Sequence, residues 1–163
     1  MEILNRNGTP QHVVKHCNKV CEIAVKVGKA LNKCGLNLNI QLIQASSLIH
    51  DVARTEDRHW DVGAKIAEDL GFYQEASIIK EHMTHSPILE LNSLKEIDIV
   101  CLADRMVKED EYVGLECRMQ YVLDKFKGNP EAIEKIKAKL EDNRILLSLI
   151  EERIGTTIDD LVR

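Results

Sequence analysis

Six histidines occupy the half of the chain between positions 12 and 85, and three placements among the histidines and aspartates bear on chemistry. His50 and Asp51 are adjacent and end an apolar run through Ala45, Leu48 and Ile49. Asp104 closes a second apolar run, Ile97 to Ala103, and is followed by Arg105. His16 lies within a long segment of helical periodicity. A carboxylate at the end of a buried helix must be paired or bind a cation, because an unpaired charge is too costly away from water. Imidazole nitrogen together with carboxylate oxygen suits a borderline divalent ion, and Fe, Mn, Co, Ni and Zn all fit. Consecutive residues of a regular helix diverge by about 100°. His50 and Asp51 therefore converge on one centre only if the helix ends there, and Asp51 then has room to bridge to a second ion.

The elements that must position these groups read as helices. Thr9-Pro10 gives a cap followed by proline at the first helical position. From there Val13, Val20, Ile23, Ala24, Val27 and Leu31 recur at helical spacing until Cys34-Gly35. Ile40 to Asp51 is apolar on most faces and is expected to be central. His59 to Leu70 and Gln74 to Met83 give a third and a fourth helix. Ser93, with Glu96 three residues on, predicts a capping box for a fifth helix ending at Asp104. Gly128-Asn129-Pro130 is the clearest break beyond it, and Leu140 to Ile150 is amphipathic. Strand-like alternation is absent. Residues 1–163 are expected to form a single compact all-α domain of about seven helices.

Composition excludes several classes. Aromatic residues are only 4% of the chain, so the core rests on Leu, Ile, Val and Ala, which suits helix packing better than a β-sandwich. The formal net charge of −5 argues against broad nucleic-acid binding. No apolar run approaches bilayer length, and Met1-Glu2-Ile3-Leu4 shows no secretion signal. The five cysteines, Cys17, Cys21, Cys34, Cys101 and Cys117, match neither a disulfide framework nor a zinc knuckle. They are expected to be free thiols, in keeping with a cytoplasmic protein.

The order His16, His50-Asp51, Asp104 resembles the HD superfamily of metal-dependent phosphohydrolases. The similarity rests on His-Val-Val-Lys-His16-Cys-Asn-Lys-Val, Leu-Ile-His50-Asp51-Val-Ala-Arg54 and Leu-Ala-Asp104-Arg105, and extends over residues 9–125. Further along, His59 with Gly63-Ala64 is similar to the His-x-x-x-Gly-Ala segment of two-metal members, and Ile78-Ile79-Lys80-Glu81-His82 to the stretch ending in a further ligand. The resemblance implies a helical HD domain with one or two divalent ions. His16, His50, Asp51 and Asp104 would hold the first and His59 and His82 a second, with Asp51 shared. It implies hydrolysis of a phosphate ester or anhydride, of a nucleotide above all, by metal-activated water, with Asp51 and Arg54 catalytic. Arg54 and Arg105 would bind the phosphate of a small substrate. Arg54 stands where some two-metal relatives carry lysine; it keeps the charge and gains bidentate reach. The longer Gly-Tyr-Pro motif of cyclic-dinucleotide phosphodiesterases is absent. Two alternatives stay open: a di-iron oxygenase of HD type, and a catalytically silent ligand-binding or signalling module.

Bland readings compete at several positions. His12 shares a helix face with His16 but sits near the helix start, where a solvated histidine is the ordinary case. His85, beside Ser86-Pro87, either caps a helix or reaches the site. His59 next to Trp60 is also readable as an aromatic contact. Cys17 and Cys21 are read as buried packing. The run Lys108-Glu109-Asp110-Glu111 reads as a solvated stretch. The helices after residue 125 show no chemistry; they are expected to complete the core or form a homodimer face.

Overall fold

The spacing of apolar residues and the positions of the glycines account for most of the helix boundaries. In the computed structural model, which describes residues 2–163, the order is α1 (Glu2–Arg6), α2 (Gln11–Lys33), α3 (Ile40–Ile49), α4 (His59–Asp69), α5 (Tyr73–Glu81), α6 (Glu96–Asp104), β1 (Val107–Lys108), β2 (Glu111–Tyr112), α7 (Leu115–Lys125), α8 (Pro130–Ile154) and α9 (Ile158–Val162). The fold is all-α apart from the β1–β2 hairpin, in which Val107 pairs with Tyr112 and Lys108 with Glu111.

α2 buries Val13, Cys17, Val20, Ile23, Ala24, Val27 and Leu31, one stripe at three- and four-residue intervals. It ends where Gly35 takes φ +97° and the Leu36 N–H donates to the Leu31 carbonyl, a turn that suits glycine. α3 is capped by the Asn39 side chain, which accepts from the Leu42 N–H. α2 and α3 lie close together at Gly28, where a Cβ would meet Ile43 Cδ1 at 2.9 Å and Ile40 Cδ1 at 3.0 Å. α6 is buried from Ile97 to Ala103 and packs against α2 and α3.

Two apolar clusters form the core. The larger joins α2, α6, the start of α7 and the inner face of α8; the smaller joins Leu4, Val14, Ile49, Val52, Ala64, Ala67, Ala76 and Ile79. α2, α3 and α5, or the residues flanking them, contribute to both. Thr9 Oγ donates to the Val52 carbonyl at 2.7 Å, tying the start of α2 to the turn that follows His50-Asp51.

Two expectations are corrected in detail. α6 starts later than Ser93: Leu91–Ser93 form a separate 3-10 turn, and the cap is built from Lys95 and Asp98, whose Oδ2 accepts the Lys95 N–H at 2.8 Å. The run Lys108-Glu109-Asp110-Glu111 is solvent-exposed at its three acidic residues, as expected, and forms the tip of the β1–β2 hairpin. A short helix, α1, precedes the expected start and fully buries Leu4. All five cysteines are free; Cys17, Cys21 and Cys101 are buried, and burial first of all pushes the Cys101 thiol up to about 12.

Candidate metal centre

α3 stops at Ile49, and the backbone continues in tight turns, with Val52 N–H to Ile49 O and Arg54 N–H to Asp51 O, both 3.0 Å. That change of course lets the adjacent His50 and Asp51 face one centre. His16 reaches the same place from α2, Asp104 from the end of α6, His59 from the first residue of α4, and His82 from the end of α5. Four imidazoles form a row, His16–His50–His82–His59, with successive ring centroids 5.5 Å apart.

Asp51 sits at the middle of this row and divides it. Its Oδ2 lies 3.8 Å from His50 Nε2, and its Oδ1 lies 3.2 Å from His59 Nε2 and 3.7 Å from His82 Nε2. Asp104 Oδ1 stands 3.0 Å from His16 Nε2 and 3.8 Å from His50 Nε2. Two sets of donor atoms are thus mutually close enough to share an ion: His16, His50 and Asp51, and Asp51, His59 and His82.

Three of the rings are oriented by their far nitrogens. His16 Nδ1 faces the Glu109 carbonyl at 2.7 Å, His50 Nδ1 the Ser47 carbonyl at 2.8 Å, and His82 Nδ1 the Ile79 carbonyl at 2.6 Å. A carbonyl only accepts, so each Nδ1 carries the proton and each Nε2 turns a lone pair inward when the ring is neutral. His50 Nε2 is buried and has no hydrogen-bond partner among the described residues, a cost that an ion at that point removes. Together with two carboxylates, this donor set fits a divalent ion of the imidazole- and carboxylate-binding kind.

Electrostatics agree with this geometry. Burial alone would raise the Asp51 carboxyl, but the His50 charge and the facing His59 and His82 rings outweigh it and hold the group well below its ordinary range. Asp104 is opposed by burial in the same way and held low by His16 and His50; its side chain keeps 25% exposure, into the cavity it lines. For His50, burial disfavours the charged ring, while Cys17, Asp51 and Asp104 more than offset this and raise its pKa. At 3.8 Å the carboxylates act on His50 as charges and not as hydrogen-bond partners.

The two non-glycine residues with left-handed backbone among those described are Arg58 (φ 50°) and Glu109 (φ 56°). Arg58 immediately precedes His59, and Glu109 supplies the carbonyl that fixes His16. Sparsely populated backbone of this kind gathers at sites whose geometry is imposed by the surroundings.

The remaining histidines and arginines divide. Arg54 is half exposed, with Nε 3.4 Å from Asp51 Oδ2 and Nη1 against the His59 ring. Arg105 is buried; its guanidinium donates to Asn143 Oδ1 at 3.1 Å and to the His85 carbonyl at 2.9 Å. His85 is held by the fully buried Asp98, 2.7 Å from Nε2 to Oδ1, and stands outside both ligand sets. His12 is exposed at the cavity wall. Trp60 does contact His59, 5.2 Å between centroids, so the aromatic contact and the ligand position coexist.

A cavity of about 550 Å³ opens from Asp51, His16, His82 and Asp104 toward α7 and α8. Its outer wall includes Lys108, Arg118, Tyr121, Lys125, Phe126 and Lys139. None of these was read as functional from the sequence. The available signal was the spacing of Arg118, Tyr121 and Lys125, which shares one helix face.

The HD domain family model matches residues 13–108, which takes in every ligand just described. The chain belongs to the HD domain family. It is 32% identical over 79 residues to the uncharacterized protein MJ0778 of Methanocaldococcus jannaschii, covering 47% of each chain. It is 28% identical over 179 aligned positions to a tRNA (cytidine(56)-2'-O)-methyltransferase of Thermoplasma volcanium, covering 99% of this chain and 48% of the relative. The chain thus spans about half the length of the curated relatives it matches. No solved structure matches it. Among the described residues no helix is long and apolar enough to cross a membrane.

Proposed function

We propose that the protein hydrolyses a phosphate ester or anhydride of a nucleotide at a site for two divalent ions. The observation that carries this reading is the division of Asp51, one oxygen facing His50 and the other His59 and His82. His16, His50, Asp51 and Asp104 would hold one ion, and Asp51, His59 and His82 the other. Bound metal supplies Lewis-acid polarisation of the phosphoryl oxygens and an activated water. The protein's own groups do the rest. Asp51 and Asp104 bring two negative charges that offset the cations, and the carbonyl-bound Nδ1 atoms keep the rings aimed. Arg54, with its guanidinium half exposed beside Asp51, binds and orients the phosphate. Arg105, both of whose partners are internal, acts as a positioning residue at the end of α6.

The cavity supports a nucleotide. Met83 and Phe126 are large apolar side chains left 42% and 44% exposed, and both line it, offering a surface for a flat base. The Thermoplasma relative, named for methylation of tRNA, supports an RNA-derived nucleotide as one source of substrate. A net charge of −5 weighs against extended contact with intact RNA.

The test is a panel of nucleoside monophosphates, diphosphates and phosphodiesters with Mn-loaded protein, assayed for phosphate release. Arg54→Gln is expected to lower kcat/KM by about 10–100-fold, with Arg54→Lys recovering part of it. Metal-loaded protein that cleaves none of these would refute the hydrolase. Consumption of oxygen by the iron-loaded form would then identify the oxygenase.

A further inference from the structure

The wall of the cavity formed by β1, α7 and α8 carries a cluster of cations. Lys108 Nζ lies 4.5 Å and Lys125 Nζ 4.4 Å from the centroid of the Tyr121 ring, with the Arg118 guanidinium at 5.8 Å. Lys139 stands on the same wall, its Nζ donating to the Met83 carbonyl at 2.8 Å. Among the described residues no carboxylate forms an ion pair with Lys108, Arg118, Lys125 or Lys139, whereas Lys135, which lines the same cavity, is paired with Glu131. Arg118 is held by its Nε–H, which donates to the Val107 carbonyl at 2.7 Å, and this leaves the rest of its guanidinium to serve the cavity. In a chain of net charge −5, unpaired cations gathered on one cavity wall are out of keeping with a merely solvated face.

The cluster is also coupled to the metal centre. Lys108 adjoins Glu109, whose carbonyl fixes His16, and the β1–β2 hairpin packs against α2 and α7. A cavity lined both by the carboxylates and histidines of the metal centre and by this separate group of cations is suited to a ligand with two anionic groups.

We infer that Lys108, Arg118, Lys125 and Lys139 form a second anion subsite. It takes a further phosphate of the substrate while the scissile phosphate lies at the Asp51 centre. The substrate class is thereby a nucleotide carrying at least two phosphates. This rests on the phosphohydrolase reading of the same cavity.

The experiment compares binding of AMP, of α,β-methylene ADP (which resists cleavage between its phosphorus atoms) and of methylene diphosphonate to the purified full chain by calorimetry. The diphosphate is expected to bind about tenfold tighter than AMP. The double variant Lys108→Gln/Lys125→Gln is expected to abolish that difference at unchanged helicity and metal content. Lys125→Glu, at an exposed position, keeps the test decisive if the double variant folds poorly. Equal binding of AMP and the diphosphate by the wild type, or an undiminished difference in the variants, overturns the subsite. Binding of methylene diphosphonate as tight as that of the nucleotide shows that the subsite reads the phosphates alone, which supports it. Failure of the hydrolase reading looks different: the binding difference is present, but no phosphate is released from AMP or ADP with metal.

Discussion

Replacing Arg105 by methionine separates a positioning role from substrate binding. The side chain is buried, and its two guanidinium nitrogens donate to Asn143 Oδ1 at 3.1 Å and to the His85 carbonyl at 2.9 Å. Methionine keeps the apolar stem but leaves both acceptors unpaired. A hydrogen bond from a charged donor contributes about 1.5–3 kcal/mol. The His85 carbonyl is only partly buried, so its share falls at the low end. The expected loss is about 3 kcal/mol, or roughly 6–12 °C in Tm for a chain of this size. Urea denaturation measures it, and kinetics on the folded fraction complete the test, with KM expected to change by less than about threefold. A variant within about 0.5 kcal/mol of the wild type whose KM rises tenfold would refute the reasoning and return Arg105 to the substrate.

Gly63→Ala would place a Cβ 3.1 Å from Ile79 Cγ2 and 3.2 Å from Val52 Cγ1. Ile79 gives the carbonyl that orients His82, Val52 follows Asp51, and Gly63 lies one helical turn after His59. Overpacking of about 1–3 kcal/mol is offset by about 1 kcal/mol of helix propensity, so stability falls by about 0–2 kcal/mol. Affinity for the second ion falls at least about tenfold, read by chelator competition; unchanged affinity would separate this packing from the site. The pH dependence of stability is expected to differ with and without metal. Asp51 and Asp104 have depressed pKa values when folded, so their contribution is complete above about pH 4 and is lost as pH falls through the folded values. His50 is raised, so its contribution is complete below about pH 6.5 and is lost as pH rises through its folded value. The metal-free chain is therefore most stable between about pH 4 and 6.5, whereas metal binding, which needs deprotonated ligands, stabilises increasingly above that window. Thermal melts with and without chelator from about pH 5 to about pH 9 check this, and parallel curves would contradict it.

The sequence displayed the helices and the ligand types because both follow from local rules. An acidic residue at the end of an apolar run, as at Asp51 and Asp104, stands out against the cost of burying a charge. The end of α3 beside His50 was legible for the same reason. What could not be read depends on packing between distant segments. The hairpin has strands of two residues, too short for alternation to register, yet it presents the Glu109 carbonyl to His16 across 93 positions of sequence. That Arg105, which lines the cavity beside Asp104, also donates to Asn143 depends on α8, brought in from 38 positions away. The helices after residue 125 complete the core, as expected, and Phe126 and Lys139 also line the cavity, a placement no local pattern displays. Ser93 with Glu96 satisfied a capping-box pattern, but Lys95 with Asp98 forms the cap, and Asp98 also accepts from His85 and the Ile88 N–H.

Metal content of the Asp51→Asn variant beside the wild type and His59→Ala tests the central claim most directly. Asparagine keeps the shape and removes the charge that both histidine sets face. With the protein loaded under anaerobic conditions and desalted, about two ions per chain are expected in the wild type. About one is expected in His59→Ala. Asp51→Asn should retain essentially none, with helicity preserved. Full metal content in Asp51→Asn would contradict a centre shared through that carboxylate.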